Sequence, residues 1–358
     1  MAYPYAVPAL INLRYGSDSL TQAVDIAWSP EYDFLNDRGT PPRGVVVWIH
    51  GGSWAYGDKE EMVPYADVWA EAGYVIVNCS YRLTRAPIVD GNYEVIGYQP
   101  AAGGEDWNNV ADIVTILRYL LIPGAGLTEA PTGTVGTFTH RTLWERMNQI
   151  ATQYGTLVVG ASAGGHLAVM GTFRHAELSG GVWPTALLNC VGPTNLVSSG
   201  VSDPINPHDP RLINIVINPV VINAPITDGS PYHLRNYWTT AIPNYFTHDC
   251  KIGLLYNTND TIVPSHMARA FHDLLTADIG DQSRITSITT GTVLPGVGGW
   301  PLDTLPDHYV SQEEYIEIVS RDSARIFSSG QVFPRVNERL RPASGMLYPR
   351  PTIRRYPV

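Results

Sequence analysis

One pentapeptide, Gly-Ala-Ser-Ala-Gly at residues 160–164, constrains the fold of this chain more than any other segment. It directly follows the apolar run 156–159, and it opens a stretch with the apolar spacing of a helix. When a strand passes into a helix through such a short turn, side chains two residues before and after the central serine have almost no room. Glycine stands at both of these positions. The segment therefore predicts a strand, a strained turn with Ser162 at its apex, and a helix.

The predicted turn gives Ser162 a chemical role as well as a structural one. It directs the serine hydroxyl out over the end of the sheet, and the N-terminus of the following helix directs amide donors toward the same point. Ser162 is therefore a candidate nucleophile, and the amide of Ala163 is a candidate donor to the oxyanion that forms when a carbonyl is attacked. A glycine-rich turn without chemistry is the alternative interpretation of this segment.

A second motif supports the catalytic interpretation. Residues 45–49, Val-Val-Val-Trp-Ile, have the pattern of a buried strand and run directly into His-Gly-Gly-Ser-Trp at residues 50–54. Glycines after an early strand let the backbone approach a substrate and present amides to it. Gly51 is one candidate donor, and either Gly52 or Ser53 is the second. One such donor is typically worth about 3–4 kcal/mol of transition-state stabilisation.

Three side chains around these motifs have roles that the sequence defines less well. We expect His50 to brace the loop by hydrogen bonding rather than to transfer protons. Trp54 either lines the substrate pocket or packs beneath the loop, and the sequence favours neither interpretation. His166 lies four residues past the serine on the predicted helix, where a packing role is expected.

A nucleophilic serine needs a base, and the base needs a carboxylate that orients it. Asp260 follows the predicted strand 251–257, and His308 lies in a loop after the predicted strand 285–289. Parallel strands place their carboxyl ends at the same edge of a sheet, which is where such sites form. We therefore predict that Ser162, Asp260 and His308 meet at this edge as nucleophile, acid and base.

Other residues compete for the acid and base roles. Asp303 and Asp307 are rivals for the acid, but a carboxylate so close to the histidine in sequence cannot easily reach its ring nitrogen. Most of the remaining histidines lie in insertions or loops that are not placed beside the sheet edge. Surface or polar-network roles are expected for them.

Together these motifs resemble those of the α/β-hydrolase superfamily over roughly residues 20–328. The resemblance is closest to the carboxylesterase branch, which includes hormone-sensitive-lipase-like esterases, kynurenine formamidases and bacterial feruloyl or acetyl esterases. Ser53 in place of a third glycine indicates the His-Gly-Gly-x-Trp subgroup, and Asn195 replaces the family's usual aspartate. The supporting segments are similar to the family's Gly-Gly-x-Trp-x-x-Gly-Asp-Lys loop (51–59), its strand ending in Tyr-Arg-Leu (77–83), its Gly-Pro-x-Asp-Leu turn (192–196) and the Ser-Pro that ends its lid (230–231).

The resemblance implies an α/β-hydrolase fold, with a mostly parallel central sheet, helices on both faces and an inserted lid. It also implies a serine hydrolase that cleaves a carboxylic ester of a small-molecule or sugar-linked substrate through an acyl-enzyme, with no metal or other cofactor. Three alternatives remain open. These are an arylformamidase with the same triad, a peptidase, which usually carries a propeller or larger cap, and a non-catalytic hydrolase-fold module that binds a partner.

The sequence predicts one α/β-hydrolase domain at 1–328 and a separate tail at 329–358. Long insertions interrupt the domain at about 84–104, 121–150 and 197–245, and the last two are the predicted lid. The tail is rich in Arg and Pro, so it cannot be helical for long. It is either disordered or an extended arm that contacts its own domain, a second copy of the chain or a larger assembly.

Charge and composition exclude some classes of function. The net charge of −10 argues against a nucleic-acid partner, because phosphate binding needs clustered Lys and Arg. No apolar run reaches the roughly 18 residues of a membrane span. The first residues lack the basic start and apolar centre of a signal peptide, so a cytoplasmic location is expected, with secretion of a trimmed chain as the open alternative. Cys79, Cys190 and Cys250 are too few and too widely spaced for a disulfide framework or a zinc site.

Overall fold

The computed structural model describes residues 5–19, 21–55, 57–89, 95–100, 107–124, 133–135, 137–196, 230–257, 263, 265–280 and 285–290. The strands within these ranges are β1 (Ala9–Arg14), β2 (Ala23–Ala27), β3 (Tyr32–Asp33), β4 (Arg38–Gly39), β5 (Val45–Ile49), β6 (Val75–Cys79), β7 (Arg85–Val89), β8 (Val95–Pro100), β9 (Thr134–Val135), β10 (Phe138–Thr139), β11 (Thr156–Ala161), β12 (Ala186–Cys190), β13 (Lys251–Asn257) and β14 (Ile285–Thr290). The α-helices are α1 (Val63–Glu71), α2 (Asn108–Leu121), α3 (His140–Tyr154), α4 (Ala163–Leu178), α5 (Pro231–Ala241) and α6 (Ser265–Ile279), and a 3₁₀ helix, Lys59–Met62, precedes α1.

The main sheet of the described residues has the strand order β1-β2-β6-β5-β11-β12-β13-β14. In this order, neighbouring strands in the part β6-β5-β11-β12-β13-β14 are parallel. The pairs β1 with β2 and β2 with β6 are antiparallel. Because parallel strands need covered faces, the central strands are continuous apolar runs without alternation. The mostly parallel sheet predicted from the sequence is confirmed.

Apolar side chains leave the sheet on both faces. On β5, Val45, Val47 and Ile49 belong to one hydrophobic cluster, whereas Val46 and Trp48 belong to a second. The first cluster includes buried residues of α2, α3, α4, α5 and α6, and the second includes those of α1. Helices therefore cover both faces of the sheet, as predicted. Each helix in the described part of the chain is too short or too polar to span a membrane.

The prediction of a lid at 121–150 is wrong for the part of this segment that forms α3. Leu143, Trp144, Met147 and Ile150 recur along one side of α3 and are buried in the larger hydrophobic cluster. A helix with such a stripe is held by the core of the domain and does not cover a pocket from outside. The length of this insertion therefore reflects an additional core helix.

The other insertions are described only in part. Residues 85–89 and 95–100 pair as an antiparallel two-stranded sheet, β7 with β8. Within the predicted lid at 197–245, residues 197–229 lie outside the described residues, and α5 follows them with Trp238 buried in the core. The predicted tail at 329–358 also lies outside the described residues. At the other end of the chain, β1 forms an edge of the sheet that pattern analysis did not predict.

Candidate active site

Ser162 occupies a strained turn between β11 and α4. The strand ends at Ala161 and the helix begins at Ala163, so a single residue makes the connection. Its backbone has φ 54° and ψ −122°, a conformation that non-glycine residues adopt rarely and mainly at functional sites. The amide of Ser162 donates to the carbonyl of Cys190 at 2.8 Å, and its carbonyl accepts from the amide of His166 at 3.1 Å. The predicted strand, turn and helix are confirmed.

Glycine on either side of Ser162 is required by contacts between backbone segments. A Cβ added to Gly160 would overlap the carbonyl of Gly164, and a Cβ added to Gly164 would overlap the carbonyl oxygens of Ile49 and His50. The helix that follows the serine thus lies directly against the end of β5. This contact brings the His-Gly-Gly loop and the serine turn, which are far apart in sequence, to one point.

The loop at residues 50–54 lies beside the candidate nucleophile. A Cβ added to Gly51 would be 3.3 Å from the Cβ of Ser162, so the loop backbone is within contact distance of the serine. Among the described residues, the amides of Gly51 and Gly52 donate to no acceptor. Ala163 is the first residue of α4, where an amide has no intrahelical acceptor. These three amides are therefore available to stabilise an oxyanion near Ser162.

The remainder of this loop is anchored to the antiparallel side of the sheet. Ser53 and Trp54 have φ of 49° and 60°, and Gly57 has φ 84°, so the chain turns repeatedly through left-handed backbone. The Lys59 ammonium then forms an ion pair with Asp25 of β2 at 3.3 Å, with 10% and 1% of the two side chains exposed. This buried ion pair holds Lys59, the last residue of the loop 51–59 and of its Gly-Asp-Lys ending, against β2.

His50 braces the loop, as predicted. Its Nδ1 lies 2.7 Å from the carbonyl oxygen of Gly51, and its ring stacks on Tyr81 with the centroids 4.2 Å apart. A nitrogen so close to a carbonyl must carry the proton and donate it. Burial lowers the pKa of His50 to about 4, so the imidazole is neutral at pH 7.

Trp54 packs beneath the loop, and the interpretation that places it in the pocket does not fit its environment. Its side chain is only 2% exposed, and its indole Nε1 donates to Nδ1 of His166 at 3.0 Å. His166 is therefore more than the packing residue predicted, because it joins the loop to α4. The one sequence signal for this role was its position one helical turn after Ser162, which places the two residues on the same side of α4.

The Trp54–His166 hydrogen bond makes a specific prediction for stability. We expect Trp54→Phe to lower the free energy of unfolding by about 1–3 kcal/mol more than a matched Trp→Phe change elsewhere, because it leaves the buried Nδ1 of His166 without this donor. The measurement is urea unfolding followed by circular dichroism. The matched control is Trp69→Phe. Trp69 is 5% exposed and belongs to the hydrophobic cluster on the opposite face of the sheet. Equal losses in the two variants would contradict the assignment.

A second buried histidine on α4 predicts acid sensitivity. Burial, with a smaller contribution from Arg118, lowers the pKa of His175 to about 4. In the unfolded chain this histidine binds a proton near pH 6.5, so stability is present above that pH and declines as the pH falls toward 4. We expect wild type to lose about 2 kcal/mol through His175 between pH 7.5 and 5. His175→Leu should remove this share of the decline in urea unfolding, and an unchanged pH dependence would contradict the prediction.

The predicted acid and base lie outside the described residues, as do the rivals Asp303 and Asp307. What the structure does provide is the strand that leads to Asp260. β13 lies beside β12, which lies beside β11, and all three run parallel, so β13 ends at the same edge as the strand that leads to Ser162. Asp260 and His308 as acid and base stay predictions. In the described ranges, His, Cys, Asp and Glu side chains form no group of three suited to a metal ion.

Comparisons with known proteins agree with this fold. A family model described as BD-FAE, an esterase domain of the α/β-hydrolase type, matches residues 34–91, which include the His-Gly-Gly loop. Esterase Est2 of the Planctomycetes species Thermogutta terrifontis is similar in fold. Its propionate-bound structure has a TM-score of 0.54 at 16% identity and covers 93% of this chain and 99% of its own. Its sarin-phosphonylated structure has a TM-score of 0.56 at 16% identity and covers 93% and 100%. A truncated carbohydrate esterase from gut microbiota has a TM-score of 0.50 at 15% identity and covers 81% and 90%.

Proposed function

Since this chain has the α/β-hydrolase fold and matches an esterase domain over residues 34–91, we propose that it hydrolyses carboxylic esters with Ser162 as the nucleophile. One observation carries the proposal. The strained turn at Ser162 is in contact with the backbone of Gly51, and among the described residues the amides of Gly51 and Gly52 donate to no acceptor. A turn that served only to connect a strand with a helix would not need this arrangement.

In the proposed mechanism, the Ser162 hydroxyl attacks the acyl carbonyl and forms a tetrahedral intermediate. His308 takes the serine proton, and Asp260 orients the imidazole and stabilises its charged form. The amides of Gly51, Gly52 and Ala163 donate to the oxyanion. His308 then gives its proton to the departing alcohol oxygen as the acyl-enzyme forms, and a water molecule repeats the sequence to release the acid.

The neighbouring structures suggest which substrates to test first. One is bound to propionate, and another is a carbohydrate esterase, so short acyl groups on small alcohols or sugars are the proposed substrate class. A series of p-nitrophenyl esters of increasing acyl length, run beside acetylated and feruloylated sugars, measures the preference directly. We expect kcat/KM to be highest for short acyl chains.

Covalent labelling tests the nucleophile independently of the substrate. We expect a fluorophosphonate probe to modify the protein at one site, and peptide mass spectrometry to locate the adduct on Ser162. Rapid hydrolysis of N-formylkynurenine with slow hydrolysis of p-nitrophenyl acetate would instead identify an arylformamidase that uses the same serine. If the probe does not react and no ester is cleaved, the chain is a non-catalytic binding module and the proposal is wrong.

A further inference from the structure

Tyr81 places its hydroxyl against the backbone of the His-Gly-Gly loop. It follows β6 closely and is fully buried. Its hydroxyl lies 3.1 Å from the carbonyl oxygen of His50 and 3.0 Å from that of Gly51. Its ring also stacks on the His50 imidazole at an interplanar angle of 10°. A single side chain from the segment that follows β6 therefore contacts two consecutive carbonyls of the loop.

These contacts fix the direction of the amides that follow the two carbonyls. In a trans peptide, the C=O and N–H bonds point in opposite directions. The described peptide bonds include no cis bond. The carbonyl of His50 points toward the Tyr81 hydroxyl, so the amide of Gly51 points away from it. The carbonyl of Gly51 accepts from the Tyr81 hydroxyl and from Nδ1 of His50, at 3.0 and 2.7 Å, so the amide of Gly52 points away from both donors.

The same geometry separates Gly52 from Ser53 as the second donor. The carbonyl that precedes the Ser53 amide belongs to Gly52, and it accepts from the amide of Ala55 at 3.0 Å. That peptide is therefore oriented by the local turn of the loop and not by Tyr81. The two peptides that Tyr81 orients are the ones whose amides belong to Gly51 and Gly52.

We propose that Tyr81 is a positioning residue that holds the amides of Gly51 and Gly52 toward the oxyanion formed at Ser162. This inference rests on the proposed function. It assigns to Tyr81 no contact with substrate and no proton transfer. Tyr81 acts through the loop, because its hydroxyl holds the two carbonyls toward itself and thereby keeps the two amides directed the opposite way before substrate binds.

The experiment compares Tyr81→Phe with a matched control. Removing the hydroxyl preserves the ring that stacks on His50 and removes the donor to both carbonyls. The control is Tyr245→Phe, a buried tyrosine whose hydroxyl donates to Asp278 at 2.9 Å, where the segment after α5 contacts α6. Both variants lose one buried hydroxyl donor, but only the first loses it at the loop.

We expect Tyr81→Phe to lower kcat about 10-fold with KM within twofold of wild type, since loss of a complete oxyanion donor costs about 10²–10³ and a displaced donor costs less. Tyr245→Phe should leave kcat unchanged. A crystal structure of Tyr81→Phe should show the Gly51 carbonyl rotated from its wild-type direction. An unchanged kcat, an effect confined to KM, or unrotated peptides at residues 50–52 would overturn the inference. Wild-type protein that neither cleaves esters nor labels at Ser162 would refute the proposed function instead, and the crystal structure would still decide whether Tyr81 orients the loop.

Discussion

We expect Ser162→Ala to lower the turnover of p-nitrophenyl acetate by about 10⁶-fold, the loss seen when the nucleophile of a triad that acts as a unit is removed. In the proposed mechanism the hydroxyl is the atom that bonds to the acyl group, so the amides of Gly51, Gly52 and Ala163 would have no covalent intermediate to stabilise without it. The remaining rate should come from binding and from those amides acting on attack by water. Steady-state kcat is the quantity to measure.

The same variant should keep its fold. Ser162 is tied to its neighbours by the backbone bonds to Cys190 and His166, which involve only its amide and carbonyl and survive the substitution. Thermal unfolding should therefore separate loss of rate from loss of structure. Ser179→Ala is the matched control, because Ser179 caps the other end of α4 and its hydroxyl donates to the carbonyl of Ala176 at 3.4 Å. Ester hydrolysis near the wild-type rate in Ser162→Ala would refute the assignment of the nucleophile.

The second large effect concerns folding. We expect Gly164→Ala to destabilise the protein by at least about 4 kcal/mol or to abolish soluble folded protein, beyond the ordinary range for overpacking. In a helix interior, replacing glycine by alanine normally stabilises by about 1 kcal/mol, so the sign is reversed here. The reason is that the added Cβ would overlap the carbonyl oxygens of Ile49 and His50, which are backbone atoms at the end of β5. They cannot retreat without separating β5 from β11.

A second glycine of the same helix provides the control. A Cβ added to Gly171 would meet the side chain of Ile113 on α2, and a side chain can be shortened. We therefore expect Gly171→Ala to destabilise less, and Ile113→Ala to relieve part of its cost when the two changes are combined. Urea unfolding of the single and double variants measures both effects. A Gly164→Ala protein as stable as wild type would show that the serine turn does not need close approach of β5.

Pattern and spacing predicted the parts of this molecule that depend on local constraints. The turn at Ser162 was predictable because a Cβ added to Gly160 would overlap Gly164, only four residues away, and β5 was predictable because five apolar residues in a row suit a strand buried on both faces. The helix α3 was mistaken for part of a lid because its apolar stripe shows that one side is buried but not against what. Only the packed structure shows that Trp144 enters the core of the domain.

The candidate site was predicted less completely than the fold. The contact between Gly51 and Ser162 follows from two motifs that each have a fixed place at a strand end, whereas the roles of Ser162, Gly51, Gly52, Ser53 and Ala163 stay predictions. The hydrogen bond from Trp54 to His166 was not predicted, because it joins side chains 112 positions apart. The contacts of Tyr81 were also beyond sequence reasoning. Its motif indicates where a strand ends, but not that the hydroxyl reaches the carbonyls of the neighbouring loop.

The parallel pairing of β5 with β11 has a consequence for how this protein acquires activity. The proposed donors of the His-Gly-Gly loop and the proposed nucleophile Ser162 belong to segments more than a hundred positions apart, and they meet only after these two strands have joined in register. Such long-range parallel pairing forms slowly during folding, after local helices and turns. After dilution from denaturant, ester cleavage should therefore recover later than the helical circular dichroism signal. The assay of ester cleavage would report when β5 and β11 have paired at the centre of the sheet.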